Sequence, residues 1–187
     1  SIFYNNTNIT SFDELKHFTG MTTLDAYAFY GCINLASLKV PSTIVNFGAY
    51  CCYRNSNFVN LTIDEITVET VASYAFYSYS NTASQITINK VNWRCTETCS
   101  SSRTNLFRYT IINQLNVYDL SAGYTSSSSS TYQHFYYAYL NNIIIDESIT
   151  DIPQYAFCYA YNINGLSLTN NITSIGASAF QGCYGLT

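Results

Sequence analysis

The sequence predicts an α/β solenoid, a stack of short coils with a parallel β-sheet on one wall and short helical turns or irregular segments on the other. Three observations lead there. An Ala-Phe pair or a substitute recurs down the chain; a period-two pair of aliphatic residues follows each recurrence but the last by about nine residues; and more apolar residues precede the next recurrence.

Aligned on the aromatic residue of the pair, the anchors are Phe29, Cys52, Phe76, Phe107, Phe135, Phe157 and Phe180, at intervals of 23, 24, 31, 28, 22 and 23 residues. They define seven rungs in one domain over 1–187. The aliphatic pairs are Leu38/Val40, Leu61/Ile63, Ile86/Ile88, Leu115/Val117, Ile143/Ile145 and Leu166/Leu168. Period two over so short a span marks a strand with one buried face. Ile44 and Phe47, Val68 and Val71, Ile149 and Ile152, and Ile172 and Ile175 add inward spokes, and Leu15, Met21 and Leu24 suggest the tail of an earlier rung. One such unit cannot bury its own apolar edge, but stacked units place like residues over like and share a continuous core. Ala28, Ala75, Ala156 and Ala179 allow close approach on the wall opposite the sheet, where the phenyl rings form an inward spine. Burying each ring is worth roughly 1.5–3 kcal/mol.

The stretches SIGASAFQGCYGLT and LDAYAFYGCINLASLKVPSTIVNFGAY, with Pro41 just after the strand and Ile44 and Phe47 spaced behind it, resemble the BspA-like leucine-rich repeats of bacterial and protist surface proteins. The first, sixth and seventh rungs carry the resemblance most plainly. Cys51-Cys52 replaces Ala-Phe in the second rung, the fourth has Leu106-Phe107, and Pro153 precedes an Ala-Phe instead of following a strand. The resemblance implies a right-handed leucine-rich repeat solenoid with the sheet on its concave face and the turns on its convex face. It also implies a displayed binding surface, often on a cell exterior, and brings no catalytic residues.

Two intervals exceed the repeat. Asn92–Arg103 and Ser121–Gln133 are expected as insertions in adjacent rungs, either decorating a binding edge or drifting as solvated loops. The run Ser126–Ser130 has the composition of a flexible or O-glycosylated segment.

Only 10% of the residues are charged, against roughly 25% in an ordinary soluble domain, so solubility rests on neutral Ser, Thr, Asn and Tyr. A net charge of −4 with seven scattered Lys and Arg argues against nucleic acid, whose phosphates need clustered cations. No apolar run is long enough for a transmembrane helix, and the first residues lack the basic and apolar regions of a secretory signal. The chain starts without Met, and Thr187 stops within a rung. It is therefore expected to be a fragment of a longer repeat protein, with any membrane anchor outside it and self-association through open solenoid ends.

Seven cysteines leave at least one unpaired or paired outside this sequence. Cys32 and Cys183 fill the small-residue slot of the repeat, and Cys51, Cys52 and Cys158 lie in or beside the packed wall. Cys95 and Cys99 share a polar insertion without a packing need, and a disulfide between them is the sharper expectation. A lone C-x3-C lacks a second ligand pair for zinc. His134 is expected at the Ala position of its rung and His17 at an inward strand position. No paired carboxylates, Ser-His-Asp order or phosphate loop emerges, so neither enzyme activity nor a cofactor is expected. Asn5, Asn8, Asn60 and Asn171 head N-x-S/T sequons that permit glycosylation.

Two surfaces could meet a partner. Residues between inward aliphatics point to the open face: Lys39, Thr62, Thr87, Asn116, Ile144 and Ser167, flanked by Asp64, Tyr118 and Asp146 among others. On the opposite wall, Tyr27, Tyr50 and Tyr74 precede their anchors by two and Tyr30, Tyr53 and Tyr77 follow by one, which predicts two stacked tyrosine ladders. Such a wall serves either packing between rungs or docking. Together these features suggest a non-enzymatic module binding protein or glycan in a cell-surface adhesion or antigen protein. An intracellular scaffold or an assembly component, with its thiols reduced in the cytoplasm, is the alternative.

Overall fold

The computed structural model describes residues 3–53, 59–79, 85–97, 105–121 and 134–186. Its strands are β1 (Ser11–Phe12), β2 (Thr23–Leu24), β3 (Ser37–Leu38), β4 (Asn46–Phe47), β5 (Leu61–Val68), β6 (Thr70–Val71), β7 (Ile86–Trp93), β8 (Ile111–Val117), β9 (Tyr139–Leu140), β10 (Asn142–Ile145), β11 (Asp151–Ile152), β12 (Gly165–Ser167) and β13 (Ser174–Ile175). Every pairing among them is parallel. The main sheet runs β1-β3-β5-β7-β8-β10-β12, with β9 also on β8; β2-β4-β6 and β11-β13 form a second, shorter wall. This is the expected parallel β-solenoid.

The strands of the main sheet do not keep period two throughout. In β5 the buried residues are Leu61, Ile63, Ile66 and Val68, and in β7 they are Ile86, Ile88, Val91 and Trp93. Two consecutive residues, Asp64-Glu65 or Asn89-Lys90, turn outward between the pairs, so each rung has two arms joined at a kink. β8 stays continuous, and the rung after it breaks outright at Asn141, between β9 and β10.

The third wall is made of chained turns. Among the described residues the one helix is a 3-10 segment, Asp13–His17, so the Ala-Phe segments take the irregular form of the two expected. Backbone bonds still step from coil to coil there: Phe29 N–H to Cys51 O at 2.8 Å, Cys52 to Ala75 O at 2.8 Å, Phe76 to Leu106 O at 2.9 Å and Phe157 to Ala179 O at 2.8 Å. Among the described residues, the one two before an anchor, Tyr27, Tyr50, Tyr74, Asn105, Tyr155 or Ser178, has φ between 53 and 60°. A left-handed conformation costs a non-glycine residue about 1–2 kcal/mol. The N–H of Tyr27, Tyr50 and Tyr155 each reaches the coil above, on Ala49, Ser73 and Ala177 O, so the conformation is held by the stack.

Inside this frame the phenyl spine forms as expected. Phe76, Phe107, Phe135, Phe157 and Phe180 stack successively with centroids 5.3, 5.9, 5.7 and 5.3 Å apart and planes within 18° of parallel. Phe3 stacks on Phe29 at 5.3 Å, which makes it the anchor of the earlier rung suggested by Leu15 and Leu24. Where Cys52 interrupts the spine, Phe47 leans over Phe76 at 5.0 Å.

Several expectations are corrected. Leu38 pairs with Ile63, not Leu61, a shift of two residues. Leu115 and Val117 pair with Val91 and Trp93 in the second arm, so they are not the counterparts of Ile86 and Ile88. Asn92 and Trp93 belong to β7, and Trp93 and Cys95 are buried, so additions to this rung begin after Cys95; residues 98–104 and 122–133 lie outside the described set. Indole and imidazole pack together here, with Trp93 4.9 Å from His134. His17 is exposed on the 3-10 segment because the chain has already left the main sheet at Phe12. Leu168 and Ile175 are 42% and 54% exposed, since among the described residues no strand pairs with the outer side of β12 or β13.

Phe157 lies between two phenyl rings, and replacing it by Ala should lower unfolding free energy by about 3–5 kcal/mol, measured by urea titration. A Cβ on Gly176 would collide with the backbone N of Gln154, whereas one on Gly20 would meet nothing within 4 Å. Gly176→Ala should therefore lower the melting temperature while Gly20→Ala leaves it unchanged or higher, in paired thermal melts.

Candidate functional site

The kink and the two arms divide the outward residues of the main sheet into separate columns. On the first arm Ser37, Thr62, Thr87, Ile111 and Tyr139 are in register, and Tyr161 bridges to Tyr139. On the second arm the column is Thr67, Asn92, Asn116, Ile144 and Ser167. The single open-face column expected from sequence is thus corrected: Thr62 and Thr87 stand on one arm, and Asn116, Ile144 and Ser167 on the other. Lys39 belongs to neither, because it lies just past the end of β3, with its ammonium beside Asp64 at the kink.

That kink carries a polar column of its own, which sequence reasoning merged with the open face. Lys39 Nζ lies 3.9 Å from Asp13 and 3.8 Å from Asp64. Beyond Asp64 the side-chain amides chain together: Asn113 donates to Asn89 at 3.0 Å, Asn141 to Asn113 at 2.9 Å and Asn162 to Asn141 at 2.7 Å. The signal for it was present in the aliphatic spacing of two, three and two in LTIDEITV and ITINKVNW, since the step of three forces an extra residue outward.

The second arm is hydrogen-bonded across its surface. Asn92 donates to Glu65 at 2.6 Å, Asn116 to Asn92 at 2.9 Å and Gln114 to Asn116 at 2.9 Å. Lys90 sits 2.9 Å from Glu65, and its hydrogen bond holds that carboxyl below the usual range. Next to this network Ile144 is 36% exposed, flanked in register by Asn116 and Ser167. One row further, the Arg94 guanidinium covers the Tyr118 ring at 4.0 Å, and the Asp146 N–H donates to Val117 O beside it.

The tyrosine wall is present and longer than expected. Tyr27, Tyr50 and Tyr74 stack at 5.2 and 4.9 Å, and Tyr30, Tyr53 and Tyr77 at 5.5 and 5.1 Å. Tyr4 extends the second ladder below Tyr30 at 5.4 Å, and Tyr109, Tyr137 and Tyr161 form a further run at 5.8 and 5.1 Å. Arg108 lies 5.0 Å from the rings of both Tyr109 and Tyr137. Tyr27 is 42% exposed and the other five expected tyrosines are half-buried. Their faces are spent on one another, leaving edges and hydroxyls outward.

The family model for the BspA type leucine rich repeat region matches residues 1–128 and 122–187, in six copies. The chain belongs to this family. No curated protein and no solved structure matches it. Leucine-rich repeats generally mediate protein interactions and are typically non-catalytic, and BspA-type repeats are often surface-associated. Among the described residues no helix is long and apolar enough to cross a membrane.

In this BspA-type stack the thiols are mostly core material. Cys32, Cys51, Cys52, Cys95 and Cys158 are buried. Cys95 therefore has the packing role that sequence reasoning denied it; Cys99 lies outside the described residues, and with it the expected disulfide. Burial pushes the Cys51 thiol well up and that of Cys183 up to about 11. All four sequon asparagines are exposed, but Asn60 already accepts the Gln85 N–H at 3.0 Å and Asn171 donates to Glu147 O at 2.7 Å.

Burial, followed by the neighbouring phenols, raises the Tyr50 and Tyr53 phenols above about 10. A raised folded-state pKa gives stability that is complete below the unfolded value and is lost as pH climbs through the folded one. Alkaline unfolding should therefore set in above about pH 10, followed by tyrosinate absorbance and circular dichroism together. The double replacement Tyr50→Phe, Tyr53→Phe should move its midpoint upward.

Proposed function

We propose that this chain is a non-enzymatic recognition module of a cell-surface adhesion or antigen protein, engaging a protein ligand through the second arm of the main sheet. The observation that carries the reading is Ile144, a partly exposed aliphatic in a column otherwise built of Thr67, Asn92, Asn116 and Ser167. An apolar centre with a hydrogen-bonded polar surround and an aromatic nearby, here Tyr118, has the anatomy of an interface hot spot. The amides of Asn92, Gln114 and Asn116 on one side of it are held by one another, so little of their side-chain entropy is lost on docking. Family membership supports a protein-binding role, and the surface association common among BspA-type repeats supports an exterior location.

A specific observation favours the scaffold alternative. The Cys32 and Cys183 thiols donate to Phe3 O at 2.9 Å and Phe157 O at 3.0 Å, a role open only to reduced sulfur. Antibody labelling of intact, unpermeabilised cells that express the native protein separates the two readings; signal only after permeabilisation rejects the exterior one. For the ligand face, the purified chain should coat cultured cell monolayers, and Ile144→Asp should weaken that binding by about tenfold or more, with an unchanged melting curve. Undiminished binding by the variant would remove the second arm from the proposal.

A further inference from the structure

At the kink, the first-arm column changes size abruptly. Ser37, Thr62 and Thr87 are small, whereas Ile111 and Tyr139, next in register, are large. The step leaves a cavity of about 390 Å³ lined by Gln85, Ile111, Tyr139, Asn141 and Asn162. That volume falls in the range of small-molecule sites, which combine apolar walls with a few convergent polar groups. Ile111 and the Tyr139 ring supply the apolar wall, with Tyr161 5.8 Å from Tyr139.

The polar side follows from counting hydrogen-bond capacity. An asparagine amide has two N–H donors and a carbonyl oxygen with two lone pairs. Asn141 gives one N–H to Asn113 and takes one from Asn162, and Asn162 gives one N–H to Asn141. Each therefore keeps a donor and an acceptor side by side, in orientations set by the ladder. Adjacent donor and acceptor pairs match hydroxyl groups, which both give and take a proton. All five lining residues are uncharged, so a phosphate, carboxylate or ammonium would find no counter-charge. A purely apolar ligand would strip water from the amides without replacing it. A pyranose has one face of C–H groups for an aromatic ring and an edge of hydroxyls for amides.

We propose that this corner binds a neutral saccharide unit. The site is apart from the second arm carrying Ile144 and stands or falls separately from the protein-binding reading.

The test is a nuclear magnetic resonance titration of the full, nitrogen-15-labelled chain with lactose and with N,N′-diacetylchitobiose, using glucuronate and glycerol as controls. The expected result is saturable movement of the Asn141 and Asn162 side-chain amide signals with at least one neutral disaccharide and none with the controls. Tyr139→Ala should weaken binding by about tenfold or more, Tyr139→Phe should retain it, and Ile144→Asp should leave it unchanged. Because Tyr139→Ala can disturb the stack, Asn162→Ala, at an exposed position, provides the second variant and should also weaken binding. Silence with both disaccharides overturns the proposal, as do equal shifts with the controls or wild-type affinity in both Tyr139→Ala and Asn162→Ala.

Discussion

A coil of this chain can bury its apolar edge only against the coils above and below, and the parallel backbone bonds between them set which residues meet. Once Phe157 N–H reaches Ala179 O, the ring of Phe157 must stand over that of Phe180. The same constraint holds Tyr27, Tyr50 and Tyr155 in left-handed backbone that none would adopt alone. Neither the spine nor the tyrosine wall is stable in one coil; both are properties of the pile.

In-register parallel stacking also governs the surface, because each outward side chain lies above its own counterpart. A column of like charges would repel at every step. The chain answers with neutrality: Asn162, Asn141 and Asn113 each donate one amide hydrogen bond to the asparagine of the coil below, ending on Asn89, and tyrosines stack on tyrosines. Where charges meet between neighbouring coils along the kink they alternate in sign, as Asp13, Lys39 and Asp64, or Glu65 with Lys90. The unusually low charged fraction is thus a consequence of the architecture as well as a feature of the surface.

The polar columns present hydrogen-bonding groups at the regular spacing of the coils. A ladder that satisfies one donor and one acceptor per amide leaves the others pointing outward at fixed spacing, already oriented. The second arm adds Ile144 to such a field, and the corner adds Tyr139 and Ile111. Each is a local departure from the repeat, and each departure is what distinguishes one stretch of an otherwise monotonous surface from the next.

The anchors Phe29 to Phe180 and the aliphatic pairs were enough to establish a parallel solenoid and to place Tyr27, Tyr50 and Tyr74 in one ladder, since a period in the chain becomes a period in space once coils stack. Register was another matter. Sequence could not say that Leu115 faces Val91, because both arms carry the same aliphatic alternation and only backbone pairing selects between them. The partners of Asn141, the burial of Cys95 and the isolation of Ile144 were decided with that register, by contacts between residues a full coil apart.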